Sequence, residues 1–298
     1  MATAVEALPA EFISPSRSSP VGRVLKIALQ NPLGAFGGLF TALVLIVAVA
    51  GPSLAPQRYD AVKVSDRLQG SSSEYILGTD SLGRDVWSRV AYGARVSLVV
   101  GVAVAVLSML AGTLIGLVAG YCRRLDGPIM REMDGMMAIP SILFAIALVA
   151  AWRPSVLTVI LAIVVPDTPR VARLVRAVVL SVREEPYVEA AVALDTPTWR
   201  LMLRHILPNA VAPLIVQGTF ICAAAMLVES AMSFLGIGLP PDIPTWGNIM
   251  AEGRGHFSAH PHTVLLPGAM LALAVLAVNM LGDGLRDTLD PKFNQRGG

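Results

Sequence analysis

Long apolar runs alternate with short polar segments along this chain, and their lengths predict a helical membrane protein. An α-helix needs about 20 mostly apolar residues to cross the hydrocarbon core of a bilayer. Six such runs lie at about 33–55, 92–120, 136–151, 155–178, 211–235 and 263–281. We therefore predict an all-α polytopic membrane protein whose six transmembrane helices form one domain, residues 32–290. Polar tails at 1–31 and 291–298 flank this domain.

Two of the predicted spans have small residues on one helical face, which lets a neighbouring helix approach closely. In the first span, small residues recur at every fourth position, at Gly34, Gly38 and Ala42. In the second span the same spacing is found at Ser108, Gly112, Gly116 and Gly120. Both faces are predicted to be packing seams. The polar stretch after the second span, with Arg123, Arg124 and Arg131, is predicted to be a short loop.

Composition supports the membrane assignment and narrows the possible partners. Hydrophobic residues make up 54% of the 298 residues and charged residues only 15%, with a mean hydropathy of +0.65. Soluble domains contain about a quarter charged residues. The net charge of +2 is too small to suggest a nucleic-acid partner.

A charged segment, Arg183–Asn209, interrupts the apolar pattern and contains its own helix signals. Pro186 suits the first turn of a helix, where its missing N–H has no intrahelical partner. Glu189 places negative charge at the positive end of the same helix. The sequence Asp195-Thr196-Pro197 then ends this helix. The segment is predicted to be a hairpin of two short amphipathic helices.

The second helix of this hairpin is predicted to begin at the same break. Asp195 or Thr196 can cap it, with Pro197 in its first turn. Apolar residues then follow with the i, i+3, i+4, i+7 spacing of one helical face. They are Trp199, Met202, Leu203 and Ile206.

Polar residues inside the apolar runs are candidates for a transport pathway or for the interior of the helix bundle. Asp167 lies only 12 residues into the fourth run, roughly 18 Å along a helix. A carboxylate at that depth indicates a functional role by default, and Arg170 at i+3 is its predicted partner. A tilted helix would instead place Asp167 at the membrane interface, and the sequence leaves both possibilities open. Gln217, Glu229 and Ser233 are the further candidates, in the fifth run.

Four stretches of the chain resemble the permease subunits of ABC importers. Within the hairpin, Glu189-Ala190-Ala191 and Ile206-Leu207-Pro208 are similar to the EAA loop of that family. The other stretches are LGTDSLGRDVWSRVAYGARVSL from residue 77, ESAMSFLGIGLP from Glu229 and NMLGDGLRDTLDPK from Asn279. The residues of these stretches are most similar to those of the C-type permease subunit of dipeptide and oligopeptide importers. One departure is Asp195, where the family usually has Gly.

The resemblance implies the type I permease fold of ABC importers, a function in peptide uptake and a set of partners. These are a second homologous permease that completes the pore, two cytoplasmic ATPases and an extracytoplasmic solute-binding protein. The hairpin is then the coupling element that docks into an ATPase cleft. The residues implied in coupling are Glu189, Ala190, Ala191, Leu194, Asp195, Thr196 and Arg200.

The charges also indicate an orientation in the bacterial plasma membrane. With both termini in the cytoplasm, the six-span topology places 15 Lys and Arg residues inside and 8 outside. The positive-inside rule favours this arrangement, although the segment 57–95 alone holds six of the outer eight. The hairpin then faces the cytoplasm, where ATP is found.

Motifs of covalent chemistry are missing from the sequence. None of the three lysines is followed by Ser or Thr, so the chain has no phosphate-binding P-loop, and no His is followed by Glu as in HExxH zinc sites. We therefore predict no catalytic residue, cofactor or metal, and ATP hydrolysis on partner subunits. The alternative function is an ion-coupled secondary transporter with Asp167 or Glu229 as the relay. The identity of the transported solute cannot be derived from the sequence.

Overall fold

The computed structural model describes residues 31–289, and their regular secondary structure is helical, apart from one isolated antiparallel bridge between Thr79 and Asp85. The predicted tails fall outside this range, except for Asn31. The α-helices are α1 Pro32–Leu54, α2 Val86–Tyr121, α3 Arg123–Met137, α4 Ser141–Ala151, α5 Val156–Val182, α6 Pro186–Ala193, α7 Thr198–Leu201, α8 Leu207–Phe234, α9 Trp246–Gly253 and α10 His262–Leu289. Short 3-10 turns occur at Val64–Asp66 and Arg254–His256, and a π-helical turn at Met202–Ile206 joins α7 to α8.

Within residues 31–289, four helical stretches are long and apolar enough to cross a membrane. They are Pro32–Gly51, Val86–Tyr121, Thr198–Phe234 and His262–Thr288. These stretches contain the first, second, fifth and sixth predicted spans, apart from a few residues at their ends. The all-α membrane architecture predicted from the sequence is therefore confirmed.

The third predicted span, 136–151, is wrong in its form. The helix in this region, α4, has only 11 residues, about 16 Å, which is too short to cross a bilayer alone. It follows α3 after a bend of 83°, and Pro140 at its N-cap disfavours helical geometry at the residue before it. Helix α3 also replaces the short loop predicted for Arg123–Arg131. Together α3 and α4 are apolar enough to form one broken span.

The fourth predicted span, 155–178, is one continuous helix, α5, of 27 residues. It is long enough to cross a bilayer, but four charged residues make it more polar than the four stretches above. Two of them form ion pairs with α3: Arg176 with Asp126, and Arg173 with Asp134. These pairs hold the amphipathic helix α3 against α5.

The predicted small-residue seam of α2 is confirmed as its contact with α5. A Cβ added to Gly112 would lie 2.5 Å from Cβ of Val171, and one on Gly120 would lie 2.7 Å from Cβ of Val179. These distances are shorter than a normal carbon–carbon contact, so the two helices leave no room for a side chain at these glycines. Helices α2 and α5 therefore pack tightly along several turns.

The seam predicted on α1 is only partly right. A Cβ on Gly34 would lie 2.6 Å from Cα of Gly284 in α10, and one on Gly37 would lie 2.5 Å from the backbone N of Leu281. Gly38 has no such close neighbour, and Ala42 is exposed. The contact follows i, i+3 spacing, because the crossing with α10 selects a face one residue away from the predicted one.

Both ends of the described chain lie at the same end of the helix bundle. Nδ2 of Asn31, at the start of α1, donates to the carbonyl of Gly284 near the end of α10 at 3.3 Å. Arg183, where the hairpin begins, donates to the carbonyl of Gly120 at the end of α2. Helix α2 runs antiparallel to α1, because Gly51 near the end of α1 packs on Ala91 near the start of α2. The end of α2 and the segment Arg183–Asn209 are therefore at the same end as Asn31, which we call the hairpin end.

Candidate functional site

The first helix of the hairpin, α6, begins as predicted. Pro186 occupies its first turn, and Glu189 is the acidic residue of that turn. Of the three EAA-like residues, Glu189 and Ala190 are exposed and Ala191 is buried. One face of α6 therefore packs on the bundle, and the other is free to contact a partner.

The turn after α6 is a Schellman motif centred on Asp195. Asp195 has a φ of +56°, in the left-handed region that Gly adopts without strain. The amide of Thr196 donates to the carbonyl of Ala191 at 3.1 Å, and the amide of Asp195 donates to the carbonyl of Val192 at 2.9 Å. These two bonds define the motif. Asp195 thus adopts a backbone conformation that Gly reaches more readily than any other residue.

The predicted capping role of Asp195 or Thr196 is wrong. The N-cap of α7 is Pro197, not a residue before it, and it makes no side-chain capping bond. Its carbonyl accepts the first helical hydrogen bonds, from Arg200 at 2.9 Å and Leu201 at 3.0 Å. The turn leaves the side chains of Asp195 and Thr196 outside the helix that they were expected to cap.

The second half of the hairpin also differs from the prediction. It is the beginning of the 37-residue helical stretch Thr198–Phe234, interrupted only by the π-helical turn. Leu201 and Ile206 are buried, while Trp199 and Leu203 are exposed. The predicted apolar stripe assumed α-helical spacing, but a π turn inserts one residue and rotates the following side chains. Spacing of i, i+5 therefore replaces i, i+4 at this point.

An exposed apolar surface remains at the end of the hairpin. Leu194, directly before the turn, is 82% exposed, and Trp199 and Leu203 are 59% and 55% exposed. The guanidinium of Arg200 lies over the Trp199 ring at 5.3 Å from its centroid. Tyr187 and Val192 extend this surface, which we call the apolar face of the hairpin. Exposed apolar groups in such number are typical of a surface that binds another protein.

Three hydrogen bonds fix the angle between α6 and the segment that leads into α8. Nδ2 of Asn209 donates to the Tyr187 hydroxyl at 3.1 Å and to the carbonyl of His205 at 2.7 Å. The Tyr187 hydroxyl donates to the same carbonyl at 3.4 Å. Movement of α6 is therefore linked directly to the base of α8. No pattern in the sequence marks Tyr187 or Asn209 as functional residues.

Three of the five predicted pathway residues line one cavity within the bundle. Asp167 and Arg170 of α5 and Gln217 of α8 surround a space of about 310 Å³, together with Asn279 of α10. The predicted pairing is confirmed, because Nη1 of Arg170 donates to Oδ1 of Asp167 at 2.8 Å. Asn279 was missed, although a polar amide in an apolar run is the same signal that identified Gln217.

The other two predicted residues form a separate cluster that is closed to solvent. Oε1 of Glu229 accepts a hydrogen bond from the Ser233 hydroxyl at 2.8 Å. Oε2 accepts weaker bonds from Ser97 and Ser230, both at 3.4 Å. Glu229 is fully buried, so this cluster joins α8 to α2 and does not line the cavity.

A buried ion cluster, which was not predicted from the sequence, lies at the opposite end of the bundle. Asp80 accepts from Nη1 of Arg89 and from Nε of Arg84, each at 2.7 Å. Both arginines also pair with Glu252 at the end of α9. The cluster fixes the segment between α1 and α2 onto α9. Glu252 is more than 160 residues from the two arginines in the sequence, so spacing does not reveal their contact.

Among the described residues, no group of three or more His, Cys, Asp or Glu side chains is arranged to hold a metal ion. The polar groups of the cavity are two amides, a carboxylate and a guanidinium. This chemistry suits hydrogen bonding and charge pairing with a passing solute.

Comparison with known proteins places the chain among transport components. The profile of the family described as binding-protein-dependent transport system inner membrane component matches residues 112–295. A probable peptide ABC transporter permease of Sinorhizobium fredii is 48% identical over 275 residues, 92% of this chain and 94% of that protein. The dipeptide transport system permease protein of Alkalihalophilus pseudofirmus is 42% identical, over 92% of this chain and 91% of that protein.

Among solved structures, the inward-facing MetNI methionine ABC transporter is similar, with a TM-score of 0.49 and 15% identity over 69% of this chain and 94% of that chain. The family profile matches more than half of the chain, and the two relatives match nearly all of it. The chain therefore belongs to the family of binding-protein-dependent transport system inner membrane components.

Proposed function

We propose that this chain is one of two permease subunits of an ATP-driven importer of small peptides. Family membership makes the chain a transport component and assigns ATP hydrolysis to partner subunits. The peptide class rests on the relatives, which are named for peptide and dipeptide transport. The family match does not favour the alternative of an ion-coupled secondary transporter.

The observation that carries this proposal is the apolar face of the hairpin. Contact of an apolar side chain as exposed as Leu194 with water is unfavourable, so a partner that covers this side chain lowers the free energy. We assign a cytoplasmic ATPase as the partner of this hairpin end. The second ATPase binds the hairpin of the second permease. The coupling residues are Glu189, Ala190, Ala191, Leu194, Asp195, Thr196 and Arg200.

The topology proposed for this function has six crossings and both termini in the cytoplasm. The two ends of the described chain are adjacent, which requires an even number of crossings. The bent pair α3–α4 and the helix α5, added to the four apolar stretches, give six. The distribution of Lys and Arg supports a cytoplasmic hairpin end. Residues 32–290 then form one transmembrane unit, and a second homologous permease completes the pore.

Transport in this scheme depends on movement of the hairpin. ATP-driven closure of the ATPases displaces α6, and the hydrogen bonds of Tyr187 and Asn209 pass the displacement to α8. Helix α5 leads directly into α6 through Arg183. Because α5 and α8 both line the cavity, their tilt changes access to it. An extracytoplasmic solute-binding protein supplies the peptide at the opposite end.

Replacement of Leu194 with Glu tests this proposal. We expect Leu194→Glu to abolish co-purification with the ATPases and the ATPase stimulation that the loaded binding protein produces. Val64→Glu is the matched control for co-purification with the ATPases, since Val64 is also an exposed apolar residue but lies on the segment between α1 and α2 at the other end. Normal coupling in Leu194→Glu would contradict the assignment of the apolar face. Transport that persists without any ATPase subunit would contradict the importer itself.

A further inference from the structure

The cavity between α5, α8 and α10 lies near the middle of the bundle. Asp167 is 11 residues from the start of α5, about 17 Å along the helix. Gln217 is ten residues from the start of α8, and Asn279 is ten from the end of α10, about 15 Å in each case. The hydrocarbon core of a bilayer is about 30 Å thick. The polar groups of three different helices therefore meet at similar, central depth.

The ion pair in this cavity keeps unused binding capacity on both of its partners. Oδ1 of Asp167 accepts from Arg170, whereas Oδ2 receives no hydrogen bond from the described residues, and the side chain, 7% exposed, lines the cavity. The Arg170 side chain is 51% exposed and uses only Nη1. Charged groups in a membrane domain normally pair or line an aqueous path. This pair does both, so a solute in the cavity meets a free carboxylate oxygen and free guanidinium N–H groups.

The cavity also offers neutral hydrogen-bonding groups. The side chains of Gln217 and Asn279 each have an amide NH2 donor and a carbonyl acceptor. A peptide bond presents the matching acceptor and donor. The remaining wall is formed mainly by apolar side chains of α8. The volume of about 310 Å³ is at the lower end of the range of small-molecule sites.

We infer that this cavity is a transient binding site for a zwitterionic peptide with both termini free. Asp167 binds the terminal ammonium, Arg170 binds the terminal carboxylate, and Gln217 with Asn279 bonds the peptide group. A dipeptide extends over about 7 Å, so it enters between the two charged residues as their salt bridge opens. One ion pair is exchanged for two, which keeps the buried charges compensated throughout. The inference rests on the proposed function and extends it to a site within the membrane.

Peptides with blocked termini test this site without any change to the protein. The probes are dialanine, N-acetyl-dialanine and dialanine amide. Their dissociation constants are measured by saturation-transfer NMR on the assembled importer in nanodiscs, with the binding protein omitted. We expect each blocked peptide to bind at least about tenfold more weakly than dialanine. Equal affinity for the three peptides, or no binding of dialanine, would overturn the inference.

Variants then assign each terminus to its residue. Asp167→Asn should weaken the binding of dialanine by about tenfold and leave the binding of N-acetyl-dialanine unchanged, because the blocked peptide has no ammonium that could bind Asp167. Arg170→Gln should weaken the binding of dialanine by about tenfold and leave that of dialanine amide unchanged, because the amide has no terminal carboxylate to lose. The controls are Asp134→Asn and Arg173→Gln, a neighbouring ion pair between α3 and α5 that does not line the cavity. Should Asp167→Asn fail to assemble, Asp167→Glu retains the charge and should keep the preference for a free ammonium.

Different measurements test the importer and the cavity site. Binding-protein-stimulated ATPase activity of the wild-type complex reports on the importer as a whole. If that activity is present while blocked and free peptides bind alike, the importer stands and the cavity site is wrong. If Asp167→Asn instead makes transport insensitive to an imposed pH gradient, the carboxylate is a proton relay and the peptide assignment is overturned.

Discussion

The backbone amide of Thr196 donates to the carbonyl of Ala191 across the end of helix α6, at 3.1 Å. This bond closes the hairpin turn around Asp195, whose φ of +56° is uncommon for a residue with a Cβ. The geometry of the hairpin therefore depends on one residue in a left-handed conformation. Leu194, the most exposed large apolar side chain described, is the residue directly before it.

Substitutions at Asp195 should separate backbone conformation from side-chain chemistry. Gly and Asn both tolerate the left-handed region, so Asp195→Gly and Asp195→Asn should keep transport near that of the wild type. A β-branched residue is strained there by roughly 1–3 kcal/mol, so Asp195→Val should distort the turn and lower coupling severalfold. Binding-protein-stimulated ATPase activity and peptide uptake measure the effect.

Ala193→Val is the control for added bulk, since Ala193 is exposed and helical. It should couple better than Asp195→Val. If Asp195→Val couples as well as the wild type, the left-handed turn is not required. Loss of coupling in Asp195→Asn would show that the charge of Asp195 is needed and that the left-handed conformation alone is not sufficient.

The glycine seam between α2 and α5 should not accept even one methyl group. A Cβ on Gly116 would lie 2.6 Å from the carbonyl oxygen of Ala172 and 2.7 Å from Cβ of Val175. We expect Gly116→Ala to destabilise the protein by a few kcal/mol, because overpacking forces backbones apart. Gly127→Ala in α3 has open space and should be neutral or stabilising by up to about 1 kcal/mol. Melting temperatures in detergent distinguish the two, and equal values would contradict close packing.

The features that the sequence predicted depend on local spacing. Gly112, Gly116 and Gly120 recur every fourth residue, and a straight helix keeps such residues on one face. Likewise, Asp167 and Arg170 at i, i+3 meet because one helix holds both. In each case neighbours along the chain determine the geometry.

The features that the sequence missed depend on contacts between distant segments. Arg89 and Glu252 are 163 residues apart, so no spacing rule links them. The π-helical turn at Met202–Ile206 places both Leu201 and Ile206 against the bundle, and α-helical periodicity cannot anticipate that shift. The choice of Gly37 over Gly38 as the contact with α10 is likewise made by the angle at which the helices cross.

The buried ion cluster at the end opposite the hairpin should contribute strongly to stability. Arg89 is 2% exposed and pairs with both Asp80 and Glu252. Removing one member of a buried pair leaves an uncompensated charge and costs about 3–5 kcal/mol. Arg89→Met should therefore lower the melting temperature by on the order of 10 °C. Arg58→Met removes an exposed pair with Asp60 and should have no measurable effect. Equal stability of the two variants would show that the cluster is not important for folding.

The same cluster should make stability depend on acidic pH. Burial opposes ionisation of Asp80, but the charges of Arg89 and Arg84 and two backbone N–H groups outweigh it and hold the pKa of this carboxyl below its usual value. A lowered pKa in the folded state stabilises the fold above the ordinary Asp pKa of about 4, and this contribution is lost as the pH falls through the folded value.

Thermal unfolding between pH 7 and pH 3 measures this dependence. The stability difference between the wild type and Asp80→Asn should be constant above about pH 5 and should shrink below about pH 4. Asp242→Asn, in an exposed loop, is the control and should give a curve parallel to that of the wild type. A difference between the wild type and Asp80→Asn that does not change with pH would mean that the charge of Asp80 is not what stabilises the cluster.

The link between Tyr187 and Asn209 should matter for coupling and little for folding. These groups are exposed, and each hydrogen bond is worth about 1 kcal/mol or less in net stability. Tyr187→Phe removes the hydroxyl but keeps the ring, so assembly with the ATPases should be unchanged. The orientation of α6 relative to α8 is then less well fixed. Binding-protein-stimulated ATPase activity should fall by about fivefold, the factor that corresponds to 1 kcal/mol.

Asn209→Ala should have a similar effect, since it removes the other partner of the same link. The double variant Tyr187→Phe/Asn209→Ala should be no worse than Tyr187→Phe, because loss of the hydroxyl alone already removes both hydrogen bonds that join α6 to the base of α8. Tyr59→Phe, on the segment between α1 and α2, is the control and should leave stimulation unchanged. Additive losses in the double variant would mean that Tyr187 and Asn209 act separately. The hairpin would then move α8 through the backbone of the π-helical turn alone.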